Sequence, residues 1–144
     1  MPVDREVIVR KITLIGEDLL RLRPLAELSP EAYLSHLESQ LAAERLLERM
    51  IGRMLDINYH IALETSGVAP RDFFDSFLKL AELHVLPPEF ARRIAGAAGL
   101  RNRLAHEYNE IDPAKVHQAA RTALADIPLY LEHVQRFLDS LSPP

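Results

Sequence analysis

The sequence predicts an all-α protein, a single-domain helical bundle of about five helices over residues 1–144. Three observations carry that expectation. Only five of the 144 residues are Gly and β-branched runs are scarce, so little in the chain favours strands. Apolar residues recur every three or four positions through most of the length. Prolines open segments at Pro30, Pro88 and Pro113, at first helical positions where a missing N–H costs nothing.

The elements follow in order. Val3, Val7, Ile8, Ile12, Ile15, Leu19 and Leu22 give the first helix, over 3–27, which Pro24 should bend or end early. Ser29 can cap the next, with Pro30 at its first position and Glu31 complementing the positive helix end. Its stripe, Leu34, Leu37, Leu41, Leu47, Ile51, Met54, Ile57 and Ile61, runs to Ser66–Gly67, so one helix of about 35 residues and roughly 50 Å is expected. That is more than one small bundle can cover, which leaves part of it to serve a second subunit. Asp72 precedes a short helix carrying Phe73, Phe74, Phe77 and Leu80, read as core or as an anchor for a partner. Pro87–Pro88–Glu89 starts a fourth helix towards Tyr108, and Asp112–Pro113 a fifth that Pro128 should kink. There is no internal repeat and no linker that would separate domains.

Composition excludes several classes. Apolar residues are 48% and charged residues 26%, enough apolar surface to rule out wholesale disorder. Without Cys there is no disulfide framework, thiolate metal site or thiol nucleophile. No run approaches the 18 or so apolar residues of a membrane helix, and Asp4, Arg5 and Glu6 stand where a signal peptide needs an apolar stretch, so a cytoplasmic protein is expected. The net charge of −4 argues against coating nucleic acid through bulk charge. Of the cations, however, only Lys11, Lys79 and Lys115 are Lys, and Arg92, Arg93, Arg101 and Arg103 cluster between Glu89 and His106. Arg suits bidentate contact with phosphate; its dominance is equally what a GC-rich genome produces.

Glycine-rich phosphate loops, Gly-x-Ser-x-Gly and His-Glu-x-x-His are absent; no two His are three or four apart, so a one-helix histidine metal site is not supported, and no Glu stands three before a His, so neither is a di-iron bundle. One constellation remains, Gly99-Leu100-Arg101-Asn102-Arg103-Leu104-Ala105-His106-Glu107-Tyr108. Arg101 can neutralise charge growing on a scissile phosphate. His106 can take the proton of a ribose 2′-hydroxyl or give one to the leaving oxygen. That pair suffices for metal-free RNA cleavage, with a 2′,3′-cyclic phosphate as product. On one helix, residues five apart lie about 140° apart, so Arg101 and His106 do not share a face. Either the helix loosens before Tyr108, Arg101 wraps round, or a second subunit completes the site. Each residue also has a plain structural reading. His106 would cap or sit on the surface, Arg101 would pair with Glu107 or Glu110, and Tyr108 would pack its ring. Asn102 would hold the helix end and Arg103 would solvate it. His36, His60, His84, His117 and His133 are assigned to structure or surface, and Arg53 with His60 is a chance echo of the Arg–His spacing.

Arg101-x4-His106-x-Tyr108, with polar Asn102 after the Arg, resembles the Arg-x4-His-x-Tyr signature of HepT toxins in the HEPN superfamily of all-α ribonucleases. Size, helix order and the late helix with Pro128 agree with it; only 101–108 is specific. The resemblance implies an endoribonuclease toxin without cofactor or metal, acting on RNA, often tRNA, as a homodimer whose motifs face one cleft. Arg101 and His106 would be catalytic, and Asn102 and Arg103 supporting or RNA-binding. It also implies an MntA-type nucleotidyltransferase antitoxin that transfers AMP from ATP to Tyr108. The alternative is a non-catalytic dimeric helical partner of a nucleotidyltransferase.

Overall fold

Asp4 opens the first helix by accepting a hydrogen bond from the Val7 N–H at 3.3 Å, and the chain then coils from Arg5 to Ala26 (α1). The computed structural model describes residues 3–106 and 108–141, with Tyr108 described by its backbone alone. Within them lie seven α-helices, a 3₁₀ turn and no strand. Pro24 does not stop α1. The peptide it would have bonded belongs to exposed Leu20, and the helix closes beyond it with Glu27 N–H on the Arg23 carbonyl at 3.0 Å.

Two of the five expected segments are divided. Pro30–Leu34 forms a short helix (α2), capped by Ser29, and Leu37–Ser66 a separate 30-residue helix (α3). His36 makes the break: its Nδ1 accepts from the Ser39 N–H at 3.3 Å and the Ser39 hydroxyl at 2.8 Å, so the side chain starts α3 anew. Gly67, in the left-handed region at φ 73°, ends it where expected. The short helix is Phe73–Glu82 (α4). The fourth segment splits at Ala95–Gly96 into Pro88–Ile94 (α5) and Ala97–His106 (α6), followed by the 3₁₀ turn Tyr108–Glu110. Asp112 then caps Pro113–Ser140 (α7), which runs on through Pro128.

α3 is the hub, packed against α1, α2, α4, α6 and α7. Leu47, Met50, Ile51, Met54, Ile57 and Ile61 turn one side of it into the core, beside Ile8, Ile15 and Leu22 of α1 and Ile127, Val134 and Leu138 of α7. Each such side chain contributes roughly 1.5–3 kcal/mol by leaving water. Three of the histidines assigned to structure or surface hold that frame. His36 caps α3, His60 Nε2 accepts from the Asp4 N–H at 3.0 Å, and buried His117 donates to the Leu28 carbonyl at 2.9 Å. His133 lies 5.6 Å from the Phe90 ring, and His84 closes α4 at φ 61°.

The start of α4 is fastened by charge. Asp72 accepts from the Asp75 N–H at 2.7 Å, and Asp75 accepts from the Arg71 N–H at 2.9 Å and its guanidinium at 3.3 Å. The Arg71 backbone bond first, then its side chain, hold the Asp75 carboxyl below the ordinary aspartate range, against the pull of burial. A value lowered in the folded state stabilises the protein above the unfolded value, near 3.9, and that stabilisation disappears as pH falls through the folded value. We therefore expect the urea midpoint to fall below about pH 4, with Asp75→Asn shallower over that limb. An identical acid limb in the variant would show that Asp75 does not carry it.

Candidate functional site

α6 carries the motif, and its helical geometry holds from Ala97 to His106. Buried Ala98 and Leu104 fix its inner side. Arg101 and His106 accordingly keep the separation of about 140° expected of residues five apart, and they turn to different surroundings. The Arg101 guanidinium carbon lies 5.5 Å from the centre of the Phe73 ring, at the start of α4. Its Nε is buried without a hydrogen-bond partner among the described residues. A guanidinium lying on an aromatic face is oriented while its N–H donors stay available to an anion. His106 stands exposed at the negative end of α6, with no hydrogen bond or ion pair among the described residues. Asn102 and Arg103 are exposed.

The helix does end before the tyrosine. Tyr108 begins the 3₁₀ turn, so it is not carried on the α6 spiral; its side chain lies outside the described residues, as does Glu107 and any pairing of Arg101 with it. Pairing of Arg101 with Glu110 is not found, since the guanidinium goes to Phe73. Of the other clustered arginines, Arg93 pairs with Asp126 at 3.0 Å and lies 5.0 Å from the Phe90 ring.

The support of Arg101 is what sequence reading missed. Phe73 is half-buried and meets the Tyr59 ring of α3 edge-on at 6.1 Å. Burial raises the Tyr59 phenol above its ordinary value, helped by Asp72 and Asp75, so this ring stays neutral beside the cation. Behind it runs a buried polar chain from α7 to α4. Tyr130 donates to Asn58 Oδ1 at 2.6 Å and lies 3.0 Å from the Met54 carbonyl. Asn58 Nδ2 donates to Ser76 Oγ at 3.0 Å, and Ser76 donates to the Phe73 carbonyl at 2.6 Å. The last link fixes the backbone of the residue under Arg101. Of the three phenylalanines read together, only Phe77 is fully core; Phe74 is half-exposed.

A cleft of about 830 Å³ opens between α3, α6 and α7, lined among others by Leu47, Ile51, Leu104, Arg103 and Lys115. Neither Arg101 nor His106 lines it. Among the described residues no group of three or more His, Asp or Glu is placed to hold a metal ion, and no helix is long and apolar enough to cross a membrane.

The chain is 37% identical over 139 residues, 96% of its length and 95% of the relative's, to the tRNA nuclease HepT of Aphanizomenon flos-aquae (strain 2012/KM1/D3). Its fold superposes with TM-score 0.82 on a tri-AMPylated Shewanella oneidensis HEPN toxin in complex with its MNT antitoxin, at 21% identity, over 92% of this chain and 99% of that one. A toxin–antitoxin structure with AMP-PNP gives TM-score 0.83 at 20% identity over the same shares. The family model described as ribonuclease HepT-like matches residues 15–134, a span that includes α6 with Arg101 and His106, and on that match the chain belongs to the HepT-like ribonuclease family of HEPN proteins.

Proposed function

We propose that this chain is the toxin of a toxin–antitoxin pair, a metal-independent endoribonuclease that cuts RNA, with tRNA as the first candidate substrate. The observation that carries the reading is the state of the two motif side chains. Among the described residues, Arg101 is oriented on Phe73 with no hydrogen-bond partner and His106 is exposed with none for its ring nitrogens. In the reaction His106 of one copy takes the 2′-hydroxyl proton, the 2′-oxygen attacks the adjacent phosphorus, and the 5′-oxygen of the next nucleotide leaves with a proton given by the protonated His106 of the facing copy. Arg101 neutralises the charge that grows on the phosphoryl oxygens. Because Arg101 and His106 diverge on one helix, the working site takes them from two copies facing across a cleft. Asn102 and Arg103, exposed beside them, meet the flanking RNA. A nucleotidyltransferase antitoxin silences the toxin by transferring AMP from ATP to the Tyr108 hydroxyl, with release of pyrophosphate; the added phosphate occupies the anion site. The relatives support this: one is named a tRNA nuclease and another is an AMPylated toxin held by its antitoxin.

The test is incubation of purified protein, its intact mass first established, with total tRNA in EDTA. Cleavage that leaves 2′,3′-cyclic phosphate ends supports the reading. An unmodified chain that cuts only after a divalent ion is restored overturns the metal-free mechanism. An unmodified chain that cuts under neither condition and still binds a nucleotidyltransferase establishes the non-catalytic partner instead.

A further inference from the structure

We infer that three arginines gathered on Asp18, remote in sequence from the motif, form a docking site for the phosphate backbone of RNA on its way to Arg101. The inference rests on the ribonuclease reading above. Asp18 of α1 is completely buried. Arg21 Nη1 meets its Oδ1 at 3.0 Å, while Arg49 Nε at 3.2 Å and Arg53 Nη1 at 3.0 Å meet its Oδ2. One guanidinium neutralises one carboxylate; three leave a local excess of two positive charges in a chain whose net charge is −4. The side chains remain 60%, 40% and 23% exposed for Arg21, Arg49 and Arg53, and each meets Asp18 through a single nitrogen, which leaves N–H donors over for an anion. Asp18 thereby acts as a buried clasp. It holds the guanidinia in place, so little side-chain freedom is lost when they grip a phosphate. Two nearby carboxylates are engaged elsewhere, Asp56 with Lys11 and Glu48 with Arg45.

The position of the cluster favours RNA. Leu41, Arg45, Arg49, Gly52, Asp56, Tyr59 and Leu63 follow one another at three- and four-residue steps, which is one side of α3, and none is buried. α1 lies along one flank of this open side, through Asp18 and Lys11. The start of α4 lies along the other, where Phe73 meets Tyr59 and carries Arg101. Arg53 and Arg49 stand about 9 and 15 Å along the axis from Tyr59, a short stretch of extended strand. Gly52 between them has nothing within 4 Å of where a side chain would start, so a backbone can lie close to the helix there.

The experiment is fluorescence anisotropy of labelled bulk tRNA against the full chain carrying His106→Ala, compared with the same chain also carrying Arg21→Ala and Arg49→Ala. Arg53 remains to hold Asp18, so the core is kept. We expect affinity to fall about tenfold and the slope of log K against log salt to lose about one to two units, with helical content and sedimentation mass unchanged. The pair Arg10→Ala and Arg23→Ala, exposed on α1 and outside the cluster, removes equal charge and should have far less effect. Unchanged affinity and slope overturn the inference alone, leaving the ribonuclease reading intact if the chain with His106 still cuts. An equal loss in the control pair reduces the cluster to general charge, and a lower sedimentation mass makes it a seam between proteins; both overturn it. A parent chain that binds no tRNA at all overturns the ribonuclease reading together with it.

Discussion

Replacing His106 with Ala should lower RNA cleavage by about 10²–10⁴-fold, the usual contribution of a positioned acid or base, and leave the fold almost untouched. Both halves of that expectation come from the same observation. His106 is exposed at the end of α6 and makes no hydrogen bond or ion pair among the described residues, so its removal opens no cavity and strands no partner. Exposed substitutions of this kind change stability by at most about 0.5 kcal/mol. Single-turnover cleavage of tRNA beside thermal unfolding separates the two readouts. His60→Ala is the matched control, since among the described residues His60 receives the Asp4 N–H and its Arg53 neighbour is anchored on Asp18. Cleavage by the His106 variant within a few-fold of the parent would remove His106 from the chemistry. An equal loss in His60→Ala would point to the other Arg–His pair.

How much of this was readable beforehand depends on the range of the interaction. Helix starts are local: Ser29, Asp72 and Asp112 cap the elements they precede, because a side-chain oxygen two or three residues from an orphan N–H needs no tertiary partner. The motif, eight residues long, is likewise a local pattern. The breaks at His36 and Gly96 were not, because the apolar spacing runs on through both, and a histidine acting as an N-cap has no pattern to announce it. Pro24 misled in the other direction, as its lost bond falls on the exposed side of the last turns of α1. The support of Arg101 lay out of reach. Phe73 and Arg101 are 28 positions apart and meet only once α4 and α6 are both docked on α3. The Asp18 cluster likewise brings Arg49 and Arg53 to Asp18 and Arg21 from about 30 positions away, so sequence shows three ordinary surface arginines.

Asn58→Leu should cost about 2–4 kcal/mol of stability, a sum of broken buried hydrogen bonds and imperfect packing. Asn58 is fully buried and spends both ends of its amide, one on Tyr130 and one on Ser76. Leucine removes both at once. The Tyr130 phenol, which burial holds well above its ordinary pKa and therefore protonated, keeps only the Met54 carbonyl, already engaged in α3. Ser76 keeps its bond to the Phe73 carbonyl but loses the donor that orients its oxygen. Tyr130→Phe removes a single proton and should cost about 1 kcal/mol. In urea unfolding the double variant should then cost clearly less than the sum of the two, because one shared bond cannot be lost twice. Additive losses would show that Asn58 and Tyr130 do not act together. The same chain ends under Arg101, so Asn58→Leu should also slow tRNA cleavage at temperatures where the variant is fully folded, by loosening Phe73 rather than by touching substrate. Ser76→Ala, which removes only the final link, should show that slowing with a smaller loss of stability. If Ser76→Ala cleaves as the parent does, the buried chain supports the core and has no hold on the site.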